Sequence, residues 1–161
     1  MELSGSFTVA APKNEVYDFI TDPDSLILAL PDIKGYTVHD TENFTLSARV
    51  GVKHVHGTMK VKMRVVEKDF GDTVTFSSRA SGIGSNVDLK TTFRLNDAPD
   101  GGTAVNWASN AQIVGRLASL AGGLLQPLAR KNLNIFMENI RRALELSGQP
   151  NQRADGRERT E

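Results

Sequence analysis

The chain contains no cysteine. That excludes disulfide staples, thiol nucleophiles and every metal site that depends on thiolate ligands. It also lacks net charge. Its 19 Lys and Arg residues balance 19 Asp and Glu residues, so no overall basic field draws it to nucleic acid or anionic lipid. Long apolar runs are missing too, and none approaches the ~18 residues of a membrane span. The opening stretch, MELSGSFTVAAP, has no basic segment followed by an apolar one, so no signal peptide is read there. A cytoplasmic protein that binds no nucleic acid is the expectation.

What is present is the composition of one soluble domain. A chain of 161 residues can bury a core without metal or disulfide support. Leu3, Gly5, Phe7, Val9 and Ala11 alternate, which predicts a half-buried strand. Pro12 stands where a helix would begin, and Val16, Phe19 and Ile20 follow with helical spacing. Asp22-Pro23 is a second start signal, so Asp24 to Leu30 predicts another short helix ended by Pro31. The middle of the chain alternates again over 43–50, 56–66, 73–80, 87–95 and 103–113, with turn residues between. Such short connections make the strands antiparallel neighbours. From Arg116 to Leu146 the apolar spacing is helical, with Gly122-Gly123 and Pro127 marking a bend or break. The expected fold is α+β. A curved antiparallel meander lies against a long C-terminal helix, with two short helices after the first strand. One domain over 1–147 is expected, followed by a polar, disordered tail over 148–161.

No catalytic or metal-ligating constellation emerges. His54 and His56 adjoin a turn, and no nearby carboxylate completes a metal site. Gly82-Ile83-Gly84 lies between strands, without the following helix that a phosphate loop needs. Asp22 and Asp24 are explained by helix starting. Lys60, Lys62 and Arg64 form a cationic row on one strand face, read either as a solvated surface or as a dock for an acidic partner.

The covered face of the sheet is the more informative one. It mixes large residues with Gly5, Ala48, Ala80 and Ala111, and small residues beneath a helix leave volume for an apolar ligand. The candidate binding residues on the strands are Met59, Met63, Phe76, Ser78, Leu89, Thr91, Phe93, Trp107 and Ser109. Leu124, Leu125, Leu128 and Phe136 join them from the helix, and Leu26 and Leu30 from the early apolar segment. Trp107 serves equally as a core anchor or a stacking surface. Leu26, Ile27, Leu28 and Leu30 cannot all face inward from two helical turns, so some are expected at an entrance or in contact with a membrane or a partner protein, the alternative being that they plug the end of the core.

Four stretches in order carry a family resemblance: GSFTVAAPKNEVYDFITDPDSLILALPDIKGY, GSNVDLKTTFRL, GGTAVNWASNAQIVGRLASLAG and ARKNLNIFMENI. The chain resembles the CoxG family, the G-subunit family of carbon monoxide dehydrogenase. That family lies within the START-like superfamily (SRPBCC, helix-grip, polyketide cyclase/dehydrase), and the resemblance covers about residues 2–146. Where the family commonly has Cys-Leu-Pro-Gly, this chain has Ala29-Leu30-Pro31-Asp32, so no thiol role applies. The polar stretch from Ser147 also differs from the membrane-suited segment of many members.

The resemblance implies a helix-grip fold and a non-enzymatic accessory protein. It would hold a lipid or isoprenoid quinone as ligand rather than cofactor. Its partner would be a molybdenum hydroxylase of the carbon monoxide dehydrogenase type, served by assembly, membrane recruitment or electron hand-off. Peripheral contact at the inner face of the cell membrane would run through Leu26–Leu30. The alternatives are a cyclase- or dehydratase-like enzyme in the same cavity, or a protein adaptor with a filled core.

Overall fold

A computed structural model of the chain describes residues 1–69 and 71–147, so the tail expected over 148–161 lies outside the described residues. Strand β1 (Glu2–Val9) leads into helices α1 (Lys13–Thr21) and α2 (Pro23–Ala29). The meander follows as β2 (Ile33–Val38), β3 (Asn43–Val52), β4 (Val55–Asp69), β5 (Thr73–Gly82), β6 (Ser85–Asp97) and β7 (Thr103–Gly115). The seven strands form one curved sheet in the order β1-β7-β6-β5-β4-β3-β2. Every neighbouring pair is antiparallel. Helix α3 (Gln126–Ser147) follows the last strand. This is the α+β architecture expected from the alternation and helical spacing, and the helix-grip fold that the resemblance implies.

The early helices start as their residues dictate. Pro12 is the residue before α1, and its carbonyl accepts the amides of Glu15 and Val16 at 3.0 and 3.2 Å. Asp22 caps α2 by accepting from the Ser25 amide at 3.3 Å and its hydroxyl at 2.5 Å. Leu30, just before Pro31, is extended at ψ 138° and ends the helix.

Three expectations are corrected. Strand β2 is not legible in the sequence: it is an edge strand, exposed from Lys34 to Val38 and irregular between Ile33 and Gly35, so it shows no apolar alternation. The break expected between the stretches 43–50 and 56–66 shrinks to Lys53 and His54, because Val52 already pairs with Val55. The long helix is not continuous from Arg116. A 3₁₀ segment (Arg116–Leu120) and a π-type segment (Ala121–Leu125) precede the regular helix. Pro127 then falls in the first turn of α3, where its missing N–H costs nothing. Gly115 makes the corner that releases this segment. Its φ is +103°, and a Cβ there would meet the Gly84 carbonyl oxygen at 2.2 Å.

The core divides in two. The larger part joins Val16, Ile20, Leu26 and Ile27 of the short helices to Phe44, Val74 and Val105 of the sheet and Phe136 and Ile140 of α3. The smaller part joins Val52, Val55 and Met59 to Leu117 and Leu125, with Leu120, Leu124 and Leu128 against it. Helix α3 is tied down toward its C-terminal end. Asn139 donates to the Ala29 carbonyl at 2.9 Å, and the Glu145 carboxylate accepts from the Ala10 amide at 3.1 Å.

Candidate functional site: an apolar cavity between sheet and helix

The sheet and α3 enclose a cavity of about 360 Å³. Its floor is a cross-strand lattice of inward positions. Met63 of β4 pairs with Ser78 of β5, Ser78 with Leu89 of β6, and Leu89 with Ala111 of β7. The adjacent row runs from Phe76 through Thr91 and Ser109 to Leu3. Ala129, Asn132, Leu133 and Phe136 of α3 form the roof, and Leu26, Leu30, Pro31 and Ile33 form one side. Phe76, Phe93 and Phe136 meet edge to face, with ring centres 6.1 and 6.4 Å apart. Among the described residues, no side chain lining the cavity is Asp, Glu, Lys, Arg or His.

Four polar side chains interrupt the apolar wall: Ser78, Thr91, Ser109 and Asn132. Thr91 and Ser109 bond each other across the strands at 2.6 Å, which leaves that pair largely self-satisfied. The Ser78 hydroxyl has no hydrogen-bond partner among the described residues, and it is not sealed away from solvent-sized space. A free hydroxyl in an apolar wall is a fixed point at which a ligand's carbonyl or hydroxyl can be oriented. The Asn132 amide likewise has no partner among the described residues, and offers both donor and acceptor from the roof.

The structure brings together Leu26, Leu30, Met63, Phe76, Ser78, Leu89, Thr91, Phe93, Ser109 and Phe136 around this one space. It does not bring Met59, Trp107, Leu124, Leu125 or Leu128 there. Met59, Leu124, Leu125 and Leu128 belong to the smaller core. Leu124 and Leu125 fall in the irregular segment before Gln126, out of phase with the roof, and Leu128 lies in α3 about 80° around the helix from Phe136, facing the smaller core. Trp107 lies over Gly5, where a Cβ would come within 2.9 Å of its indole. It therefore fills the space the glycine leaves and anchors the core.

Sequence reasoning overlooks Asn132 and Leu133. The signal is present: Ala129, Asn132, Leu133 and Phe136 fall at i, i+3, i+4 and i+7, one helical face. A polar residue in such a stripe marks a place where the stripe meets something other than core. The other candidates stay outside the cavity. His54 sits in the β3–β4 turn and His56 on β4, both exposed. Among the described residues, no group of three His, Cys, Asp or Glu is placed to hold a metal ion.

The apolar run in α2 splits by exposure. Leu26, Ile27 and Ala29 are buried, Leu30 reaches the cavity, and Leu28 is 74% exposed. Nearby on β2, Tyr36 is exposed and its phenol is held above its ordinary pKa, first by partial desolvation of the hydroxyl and then by the Asp24 carboxylate. No helix among the described residues is long and apolar enough to cross a membrane.

The fold recurs in solved structures. A conserved protein from Geobacillus kaustophilus superposes with a TM-score of 0.79 at 17% identity, over 91% of this chain and 97% of that one. A START superfamily protein from Mycobacterium smegmatis gives 0.67 at 11% identity, over 90% and 97%. A protein from Chromobacterium violaceum gives 0.66 at 15%, over 89% and 97%. At such identities the likeness establishes the START-like fold alone. Among curated proteins none matches the chain significantly. The family model for the G subunit of carbon monoxide dehydrogenase (CoxG) does match, from residue 5 to residue 145. With the fold and the ordered motifs in agreement, the chain belongs to the carbon monoxide dehydrogenase CoxG family, a family of accessory rather than catalytic subunits.

Proposed function

We propose that the protein is a non-enzymatic carrier. It holds an apolar small molecule, a lipid or the ring end of an isoprenoid quinone, between its sheet and α3. It does so on behalf of a carbon monoxide dehydrogenase-type molybdenum hydroxylase. The observation that carries the reading is the cavity of about 360 Å³ with an apolar wall and one unpartnered hydroxyl, Ser78. Ligand pockets run from roughly 300 to 1,000 Å³, so this one suits a ring or a short chain, with any longer tail leaving past Leu30 and Pro31. Ser78 would orient a ring carbonyl, and Asn132 would meet the opposite edge. The molybdenum-enzyme partner rests on the family name. Membrane contact in this reading narrows from Leu26–Leu30 to Leu28, with Leu30 behind it, because Leu26 and Ile27 are committed to the core.

Native mass spectrometry of freshly purified protein, followed by organic extraction, tests the reading. A stoichiometric apolar molecule is expected, displaced by added quinone. The substitution Ala111→Phe places a ring in the cavity and should abolish uptake while the fold persists. A protein that stays free of ligand after incubation with both membrane extract and quinones would remove the carrier role.

A further inference from the structure

The chain is neutral, but its charge is not evenly spread. On β4, Lys60, Lys62 and Arg64 are exposed and alternate with inward Met59, Val61, Met63 and Val65. They therefore stand in a line on the outer face of the sheet, about 7 Å apart. Arg49 on β3 and Lys90 on β6 extend the same face. Among the described residues, none of these five cations has a carboxylate within ion-pair distance. Lys62 even sits directly opposite another cation, Arg79. Like charges in opposed positions disfavour a sheet. The strain is eased because Arg79 turns to Asp88, with bonds of 2.8 and 3.1 Å. The balancing carboxylates lie elsewhere: residues 13–32, which cover the inner side, carry Glu15, Asp18, Asp22, Asp24 and Asp32 against Lys13 alone.

We infer that the outer face of β3–β6 docks an acidic surface of the oxidoreductase that the protein serves. The inference rests on the partner named under Proposed function, and assigns it a place on this chain. A protein fits better than a bilayer. Thr45, Ser47 and Ser77 stand opposite the cations in the neighbouring strands and offer hydrogen bonds at fixed positions. The exposed aliphatics Val66 and Val114 stand singly at the margins, so the face has no apolar anchor to insert into lipid. The face also points away from α2 and α3, so docking there leaves Leu28 and the cavity mouth free. Charge complementarity of this kind sets encounter rate and orientation.

The test measures binding of the full chain to the purified carbon monoxide dehydrogenase complex of the same cells. Wild type is compared with the triple variant Lys60→Glu/Lys62→Glu/Arg64→Glu and with the α3 control Lys131→Glu/Arg142→Glu. The triple variant should fold, since Lys62→Glu faces Arg79, and unfolding temperature and cavity loading report this directly. The expected result is wild-type binding that weakens with added salt, about tenfold or more weaker binding for the triple variant, and no change for the control. Equal binding by wild type and triple variant overturns the inference but leaves the carrier reading standing. A reversal that abolishes binding to phosphatidylglycerol vesicles while sparing the enzyme also overturns it, and gives the face to the membrane. A wild type that never binds the enzyme removes the partner reading, and this inference with it.

Discussion

Two rows of the same sheet face, built by the same alternation, end in opposite states. In one row Val74, Phe93, Trp107 and Gly5 stand side by side across four strands. In the other, Met63, Ser78, Leu89 and Ala111 do. Each contains small residues. In the first, the Trp107 indole lies across Gly5 and fills the space the glycine leaves, and of the four only Phe93 reaches the cavity. In the second, nothing large reaches over Ser78 or Ala111, and the space between them and α3 stays open. A small residue makes a void only where no neighbour leans into it. Interiors normally fill such space, so the open row is where the fold gives up dispersion contacts to keep a site.

The comparison can be broken by substitutions in each row. Trp107→Ala should cost about 3–5 kcal/mol in urea unfolding, the range for a buried aromatic in a filled core. Leu89→Ala should cost less, about 1–2 kcal/mol, because its side chain already faces open space and loses fewer contacts. If the two variants unfold alike, the second row is as solid as the first and the cavity reading fails. Small-to-large changes keep the same order, with the filled row again the more sensitive. Gly5→Ala forces its new methyl against the indole and should destabilise by about 1–3 kcal/mol. Ala111→Phe should change stability by less than Gly5→Ala while removing ligand uptake in the extraction assay.

Smaller effects sharpen the picture at the surface. Leu28→Ser should leave stability within about 0.5 kcal/mol, since the side chain is exposed, but slow transfer of ligand from vesicles. Asp88 gives the smallest effect. Its carboxyl is held below the usual range by the hydrogen bond from Arg79, and Arg79 is held above its own range by the same bond. The sign follows from the depressed value. The pair is intact at neutral pH and is lost only as pH falls through the lowered carboxyl pKa. Asp88→Asn imitates the acid state at neutral pH, frees Arg79, and should tighten binding of the outer face to the oxidoreductase by a small factor, read in the same binding assay.

The sequence makes the sheet legible wherever a strand has one wet and one covered side, as β4 does through Met59, Val61, Met63 and Val65. It hides β2, whose exposed edge position leaves no alternation to read. It also places the cavity roof too early. Leu124 and Leu125 keep helical phase with Phe136 only if the helix is regular from Arg116, and the π-type segment that holds them breaks it; Leu128 lies within regular α3 but on a neighbouring stripe, against the smaller core. The floor reads more fully because strand register is robust to such slips: Ser78, Leu89, Thr91 and Ser109 need only a period of two. Compensation between neighbours, as between Gly5 and Trp107, depends on pairing across β1 and β7, which are about a hundred residues apart, and no local pattern carries it.

Helix α3 is held unevenly, and this has a mechanical consequence. Near its C-terminal end, Ile140 and Leu144 are buried, and Asn139 and Glu145 bond α2 and the chain after β1. At its other end the helix follows an irregular segment whose Leu117 and Leu125 are buried in the smaller core, with Leu124 and Leu128 against them. The helix is thus a beam seated in two separate cores of unequal size, and Ala129 and Leu133, over the cavity, lie on the span between them. The smaller seat is the weaker one, so the roof loosens from that side first and the larger core is left in place. Amide exchange should therefore quicken along α3 from Leu144 toward Ala129, and a bound ligand should slow it most over the cavity.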